Sequence, residues 1–258
     1  MKDKSRQDFT ERELMVIAAG REIRDGEVVF VGMRLPLVAF AFAKRTHAPR
    51  ALGFFENGIV RDRPTLETLL TMSDTPNVPG AVWSGGTLDV MGLLQQGLVD
   101  LGFIGGAEID RFGNLNTSYI GDWRRPTVRL PGSGGGADIA SLARRFVVIM
   151  PQEQHRFRER VHYITSPGFG EGAGWRQRVG LPGGGPAAVI TTLGVFRFDP
   201  TTREMCLVSY HAGQSVESVR DATGWALRVA PDVGRTPTPT AEELAVVREC
   251  DPAGFWTR

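Results

Sequence analysis

Apolar residues along the first hundred positions fall into two alternating patterns. In one they recur three and four residues apart; in the other they form short unbroken runs. Thr10-Glu11-Arg12-Glu13 is a capping box, with a hydroxyl placed for a free amide at a helix start and a glutamate placed to reach back. Leu14, Ile17, Ala18 and Arg21 follow at helical spacing, and Asp25-Gly26 closes the segment. Val28 to Val31 is a β-branched and aromatic run that predicts a buried strand, and Leu37 to Arg45 predicts a second helix packed through Ala and Phe. Ala51 to Phe55 reads as a strand, Val90 to Leu98 as a helix and Val99 to Ile104 as a strand. Continuous apolar strands joined through helices are what burial on two sides requires. The expected fold class is therefore α/β: an open, mostly parallel sheet with helices on both faces.

The second half is less regular. Residues 105–136 are rich in Gly, Asn, Pro and Arg and show little periodicity. Ala137 to Arg145 reads as a helix and Phe146 to Met150 as a buried strand, while 166–186, with many Gly and Pro and few apolar anchors, reads as a long loop. Val189 to Phe198 and Met205 to Tyr210 flank Asp199-Pro200-Thr201-Thr202-Arg203 as the arms of a hairpin. Val216 to Thr223 predicts a short helix closed by Gly224, and Thr240 to Cys250 a terminal helix with Pro252 beyond it. With no repeat at solenoid periods and no linker-like stretch, residues 1–258 read as a single domain.

Composition narrows the function classes. Thirty basic residues against 29 acidic ones leave a net charge of +1, which calls for neither nucleic acid nor an anionic membrane. The best apolar run, Leu35 to Ala43, is about half of the roughly 20 residues that a membrane span needs. Met1 to Arg6 is polar, with no signal-peptide core. Cys206 and Cys250 are isolated, which argues against a disulfide framework or a cysteine zinc site and for a reducing, cytoplasmic setting. Lysine occurs only at 2, 4 and 44, a bias that reads as genomic composition. Glycine, at 32 residues, is clustered.

Those clusters carry the candidate chemistry. In Phe54-Phe55-Glu56-Asn57-Gly58 a strand ends in a carboxylate followed at once by Asn-Gly. Open α/β sheets bind ligands beyond the carboxyl ends of their strands, so Glu56 is placed to act, although placement alone also fits a solvated Glu opening a turn. Gly132-Ser133-Gly134-Gly135-Gly136-Ala137 precedes a predicted helix and exposes backbone amides to an anion. Its spacing also fits the dinucleotide fingerprint, with Glu153 at about the usual 20-residue distance. The preceding Pro126 to Pro131 lacks the buried strand that fingerprint needs, so an acyl or oxyanion role is preferred. Gly105, Gly106 and Ala107 leave another strand end and would floor a pocket. His47, His155, His162 and His211 have no metal-binding spacing, and Ser133 and Ser166 lack a nucleophile elbow. Arg144, Arg145, Arg156, Arg158 and Arg160 form a basic stretch that suits either a nucleotide's phosphates or a solvated face.

Taken together, these blocks resemble the β subunit of class I coenzyme A transferases, most closely the glutaconate type. Glu56-Asn57-Gly58 is similar to that family's catalytic ExG motif. Phe103 to Asp110, Gly113 to Asn116, Ile120 to Asp122, Gly132 to Gly135, Tyr163 to Gly168 and Asp221 to Gly224 fall in the family's order, from about residue 12 to Pro252. The resemblance implies that Glu56 attacks an acyl-CoA thioester, that a glutamyl-CoA thioester follows, and that an acceptor carboxylate reverses the sequence. It implies coenzyme A as cosubstrate with no permanently bound cofactor and no metal. Asn57, Gly58, Gly105, Gly106, Ala107, Gly134, Gly135 and Gly136 would then form the oxyanion and acyl-CoA site. It also implies a separate α subunit in a heterotetramer or larger assembly, with the loops at 80–86 and 166–186 as contact regions. Asn57 stands where the glutaconate type commonly has Ser, which leaves acyl specificity open. The alternatives are hydrolysis or decarboxylation of acyl-CoA on the same fold, a dinucleotide-dependent oxidoreductase using 132–137, and a non-catalytic partner subunit.

Overall fold

The computed structural model describes residues 8–65 and 67–258; the polar stretch Met1–Arg6 lies outside them. Helix α1 (Glu11–Gly20) starts at the expected capping box: Glu13 N–H donates to Thr10 Oγ1 at 3.0 Å, and Thr10 N–H to Glu13 Oε2 at 2.7 Å. Then come β1 (Val28–Phe30), α2 (Leu35–Arg45), β2 (Leu52–Phe54), β3 (Ile59–Arg61), β4 (Trp83–Ser84), α3 (Thr87–Gln95) and β5 (Leu101–Ile104). The glycine-rich middle holds β6 (Glu108–Asp110), β7 (Leu115–Asn116), β8 (Tyr119–Gly121), β9 (Pro126–Arg129) and α4 (Gly136–Leu142). Beyond it lie β10 (Arg145–Ile149), β11 (Phe157–Arg158), α5 (Trp175–Arg178), β12 (Pro186–Ile190), β13 (Gly194–Phe198), β14 (Met205–Tyr210), α6 (Val216–Asp221), β15 (Arg228–Arg235) and α7 (Ala241–Cys250).

Ten strands form one sheet in the order β15-β14-β13-β12-β10-β5-β1-β2-β3-β4. The central run β12-β10-β5-β1-β2 is parallel throughout, as the apolar strands predict. Antiparallel pairings flank it on both sides, and β14–β15 is again parallel. Side chains alternate between two cores, as a pleated strand dictates. Val29, Val31, Leu101, Phe103, Val147 and Ile149 meet α1, α2 and α7 on one face. Phe30, Ile104, Phe146 and Val148 meet α3, α4 and α6 on the other. Helix α4 presses onto β5 where Gly102 stands: an added Cβ there would lie 2.1 Å from Ile139 Cγ2.

Several elements depart from the sequence reading. Val189 to Phe198 is two strands rather than one, because Thr191 Oγ1 accepts from Leu193 N–H at 3.1 Å and Gly194 N–H at 3.0 Å and turns the chain. The helix expected over Ala137 to Arg145 ends at Leu142; Arg145 opens β10, its guanidinium paired with Glu27 at 2.7 Å. Residues 105–136 hold four short strands, in a three-stranded sheet β11-β6-β7 and a hairpin β8–β9. No helix among the described residues is long and apolar enough to cross a membrane.

Candidate active site

The chain leaves β1 for β2 on one side and reaches β5 on the other, so the order of the parallel strands reverses between β1 and β5. Such a switch point opens a crevice at the carboxyl ends of the strands. Gly32, just after β1, faces β5 so closely that an added Cβ would lie 2.6 Å from Phe103 O. A cavity of about 160 Å³ lies there, lined by Gly32, Met33, Phe103, Ile104 and Gly105 from these two strand ends. A wider cleft of about 600 Å³ shares those five residues and adds Arg12, Arg34, Gly106, Arg156 and Trp256.

Glu56 enters the smaller cavity from the turn joining β2 to β3. The turn is closed by Gly58 N–H donating to Phe55 O and Phe55 N–H donating to Ile59 O, both at 2.9 Å. The glutamate is partly buried, and its carboxylate lies against the triple-glycine bend. An added Cβ on Gly135 would be 3.1 Å from Glu56 Oε2 and 3.2 Å from Cδ; one on Gly134 would be 3.8 Å from Oε1. Two segments nearly eighty residues apart are thus brought together, as the sequence reading required.

The other expected site residues divide. Gly105 lines both spaces and Gly106 the wider cleft. Gly134, Gly135 and Gly136 all line the cavity, but Gly136 N–H donates to Ser133 O at 2.9 Å. Among the described residues the Gly134 and Gly135 amides have no protein acceptor, so those two are the amides open to a ligand. Ala107 N–H is engaged by Asn116 O at 3.0 Å. Asn57 turns away and donates its amide to Met72 O at 2.8 Å. Gly58, at φ +98°, packs on Gly85, whose carbonyl oxygen would be 2.3 Å from an added Cβ. Asn57 and Gly58 thus hold the turn that carries Glu56, and line neither space.

The structure removes the context for a dinucleotide fingerprint. The segment before Gly132 is the β8–β9 hairpin, outside the main sheet, and Glu153 pairs with Arg156 at 3.1 Å. In the basic stretch, Arg144 pairs with Asp100 at 3.0 Å, Arg145 with Glu27 and Arg158 with Glu108 at 3.6 Å; Arg156 also lines the wide cleft.

Sequence reading gave no site role to three features. Met33 and Arg34 flank the cleft at the end of β1, and Arg34 holds φ +69° and ψ −123°, a region costly for a residue with a side chain. The only signal was a Gly placed directly after an apolar strand. Ser166 and Thr117 line the Glu56 cavity. Their loops are braced from behind by Asn114, which donates to both Asp110 oxygens at 3.1 and 2.9 Å and to Gly170 O at 2.8 Å. Burial pushes the Asp110 carboxyl up to about 6 despite these donors.

The comparisons agree with this geometry. The family model described as coenzyme A transferase matches residues 12–222. The chain is 39% identical over 247 residues to the β subunit of 3-oxoadipate CoA-transferase of Pseudomonas knackmussii, covering 93% of this chain and 92% of the relative. It is 34% identical over 252 residues to the β subunit of glutaconate CoA-transferase of Acidaminococcus fermentans, covering 95% and 94%. The crystal structure of glutaconate coenzyme A-transferase from that organism superimposes with a TM-score of 0.91 at 32% identity, covering 98% of both chains. The α/β fold, the Glu56 turn at the switch point and these matches lead to one assignment: the chain belongs to the coenzyme A transferase family, as a class I β subunit.

Proposed function

We propose that this chain is the catalytic subunit of a heteromeric CoA-transferase, moving CoA between an acyl-CoA and a carboxylic acid through a thioester on Glu56. The observation that carries the reading is the Glu56 carboxylate resting on Gly134 and Gly135 in a cavity at the sheet's switch point. As a carboxylate, Glu56 adds to the acyl carbon of the thioester; the C–S bond breaks and a mixed anhydride forms. The CoA thiolate then adds to Glu56 Cδ and expels the acid, leaving glutamyl-CoA. Carboxylate nucleophiles split a difficult transfer in this way, and ping-pong kinetics are the consequence. The free Gly134 and Gly135 amides are positioned to donate to the oxyanion on Glu56 Cδ; one such donor is worth on the order of 3 kcal/mol. No metal or resident cofactor enters any step.

The 600 Å³ cleft leading to the cavity suits the pantetheine arm, with Arg34 on its wall for a phosphate and Arg12 and Arg156 beside it, held by Arg258 O and Glu153. Exposed Trp83 in β4 and Leu88 in the first turn of α3 support docking of an α subunit there, within and next to the expected 80–86 region. One sheet drawing strands from Val28 to Arg235 supports a single domain, and two free cysteines fit a cytoplasmic setting. The names of these two relatives suggest the first substrates to try: glutaconate, 3-oxoadipate and their CoA esters, in acid catabolism.

The assembled protein is incubated with glutaconyl-CoA or 3-oxoadipyl-CoA and digested for mass spectrometry. CoA is expected on Glu56, and borohydride is expected to inactivate only after acyl-CoA is added. Glu56→Gln should abolish transfer with little change in thermal stability. CoA found on another residue, or an active Gln variant, would overturn the assignment.

A further inference from the structure

Nothing in the steps above uses the motif Tyr163–Gly168, yet its serine ends at the reaction cavity. Ser166 is 3% exposed and lines the same 160 Å³ space as Glu56. Its backbone is fixed by an antiparallel bridge to Leu115: Ser166 N–H donates to Leu115 O at 3.1 Å, and Leu115 N–H donates to Ser166 O at 2.9 Å. Gly168, two residues on, is tied to Asn114 Oδ1 at 2.9 Å. The Ser166 hydroxyl, by contrast, has no hydrogen-bond partner among the described residues. Thr117 lines the same cavity, and its buried Oγ1 is also unpartnered. The Thr117 backbone is equally fixed, its N–H donating to Thr165 Oγ1 at 3.0 Å and its carbonyl accepting from Gly132 N–H at 2.8 Å. Buried polar groups are almost always hydrogen-bonded. One buried orphan hydroxyl, Thr117 Oγ1, and one unpaired hydroxyl not closed off from the cavity, Ser166 Oγ, both on rigid backbone, mark a place prepared for a polar ligand.

The transfer chemistry supplies that ligand. Negative oxygen develops at two carbons in turn, Glu56 Cδ and the substrate's acyl carbon, and each calls for a donor. Gly134 and Gly135 stand against the Glu56 carboxylate, whereas Ser166 stands at the Gly136 end of the bend, where an added Cβ would be 3.2 Å from Ser166 Oγ. We propose that Ser166 is the substrate-side donor, its Oγ–H bonding to the oxygen of the acid substrate that does not attack, with Thr117 as its neighbour in that role. The inference rests on the Glu56 reading given above. In the second half-reaction the acid's other oxygen adds to Glu56 Cδ, the C–S bond breaks and CoA thiolate leaves. The thiolate then adds to the acyl carbon, and the bond from that carbon to the Glu56 oxygen breaks. Ser166 keeps its proton throughout and forms no covalent bond.

The test compares two nucleophiles on the same trapped intermediate. The assembled wild type and Ser166→Ala are loaded with CoA from glutaconyl-CoA or 3-oxoadipyl-CoA, freed of donor, and mixed with either hydroxylamine or the corresponding free acid. Hydroxylamine attacks Glu56 Cδ and has no carboxylate to hold, so its rate should stay within about twofold of wild type. The rate with the acid should fall at least tenfold, since a hydrogen bond to a charged group is worth roughly 10- to 100-fold. Thr117→Val should act in the same direction and Thr117→Ser should restore the rate. An acid rate unchanged in Ser166→Ala overturns the proposal, and so does an equal fall with both nucleophiles, which marks a structural role. A wild type that never loads CoA overturns the Glu56 reading itself, and with it this one.

Discussion

Gly135 has a helical backbone, φ −75° and ψ −1°, so its own conformation does not demand glycine. What demands it is the neighbour: a Cβ would lie 3.1 Å from Glu56 Oε2 and 2.7 Å from the flexible end of Met91. Gly135→Ala is therefore expected to displace the nucleophile without straining the chain. Steady-state kinetics should show a fall in kcat of roughly tenfold, because the contact forces the carboxylate to shift and a misplacement near 1 Å costs about 100-fold, while thermal melting stays within a few degrees. A variant with unchanged kcat would mean that the carboxylate does not work from this position. Gly58 is the opposite case, since its φ of +98° and the carbonyl of Gly85 both exclude a side chain. The two glycines look alike in sequence and differ in what they protect. Glu56 and the triple glycine were legible because a carboxylate at a strand end and clustered small residues are local signals. Ser166 and Thr117 were not, because a hydroxyl gains meaning only when its lack of partners is seen.

At the scale of elements, the stretch 166–186 shows why the second half was harder to read. It has few apolar anchors because a cation anchors it. Arg176, in the one-turn helix α5, is 4% exposed, and its guanidinium donates to carbonyls of Gly183 at 2.8 Å, Gly168 at 2.9 Å and Ala140 at 2.9 Å. Burial lowers its pKa to about 10, which leaves it charged at neutral pH. It ties the segment carrying Ser166 to the last turn of α4, where backbone carbonyls favour a positive charge. Lysine cannot reproduce the planar fork. Arg176→Lys should cost about 2–4 kcal/mol in urea unfolding, through carbonyls left buried without donors, and should slow reaction with the acid as Ser166 loosens. A variant as stable as wild type would show that water replaces the fork. The apolar strands β1, β2, β5 and β10 were legible because two-sided burial writes continuous apolar runs. The short strands β3, β4 and β6 to β9, two to four residues each, and the edge strand β15, with Pro231 and Asp232 inside it, carry no such pattern. Most of them pair as tight local hairpins, β2 with β3, β6 with β7 and β8 with β9, in which two or three residues are too few to show a period.

For the whole molecule, two buried groups, a base and an acid, oppose each other as pH falls. His211, 2% exposed beyond the end of β14, donates Nε2–H to Thr191 O at 2.8 Å and accepts from the Thr236 hydroxyl at Nδ1 at 2.9 Å. Burial depresses its pKa to about 4 from 6.5. Between those values the unfolded chain binds a proton that the folded chain refuses, so stability is complete above pH 6.5 and is lost as pH falls toward 4. At 1.36 kcal/mol per unit the loss is about 3 kcal/mol. Asp110, raised by burial to about 6 from 3.8, does the reverse: the folded chain holds the proton longer, and stability is lost as pH rises from 3.8 to 6. Across pH 4–6 these two contributions nearly cancel, so a plain pH scan of the native chain conceals both. His211→Gln separates them, because glutamine fills much of the same space and does not titrate. The variant should be less stable than wild type at pH 7, and the gap should close by about 3 kcal/mol at pH 4, measured by urea unfolding at each pH. Curves that stay parallel from pH 7 to 4 would show that His211 titrates alike in the folded and unfolded chains, and that its two hydrogen bonds do not depend on a neutral ring.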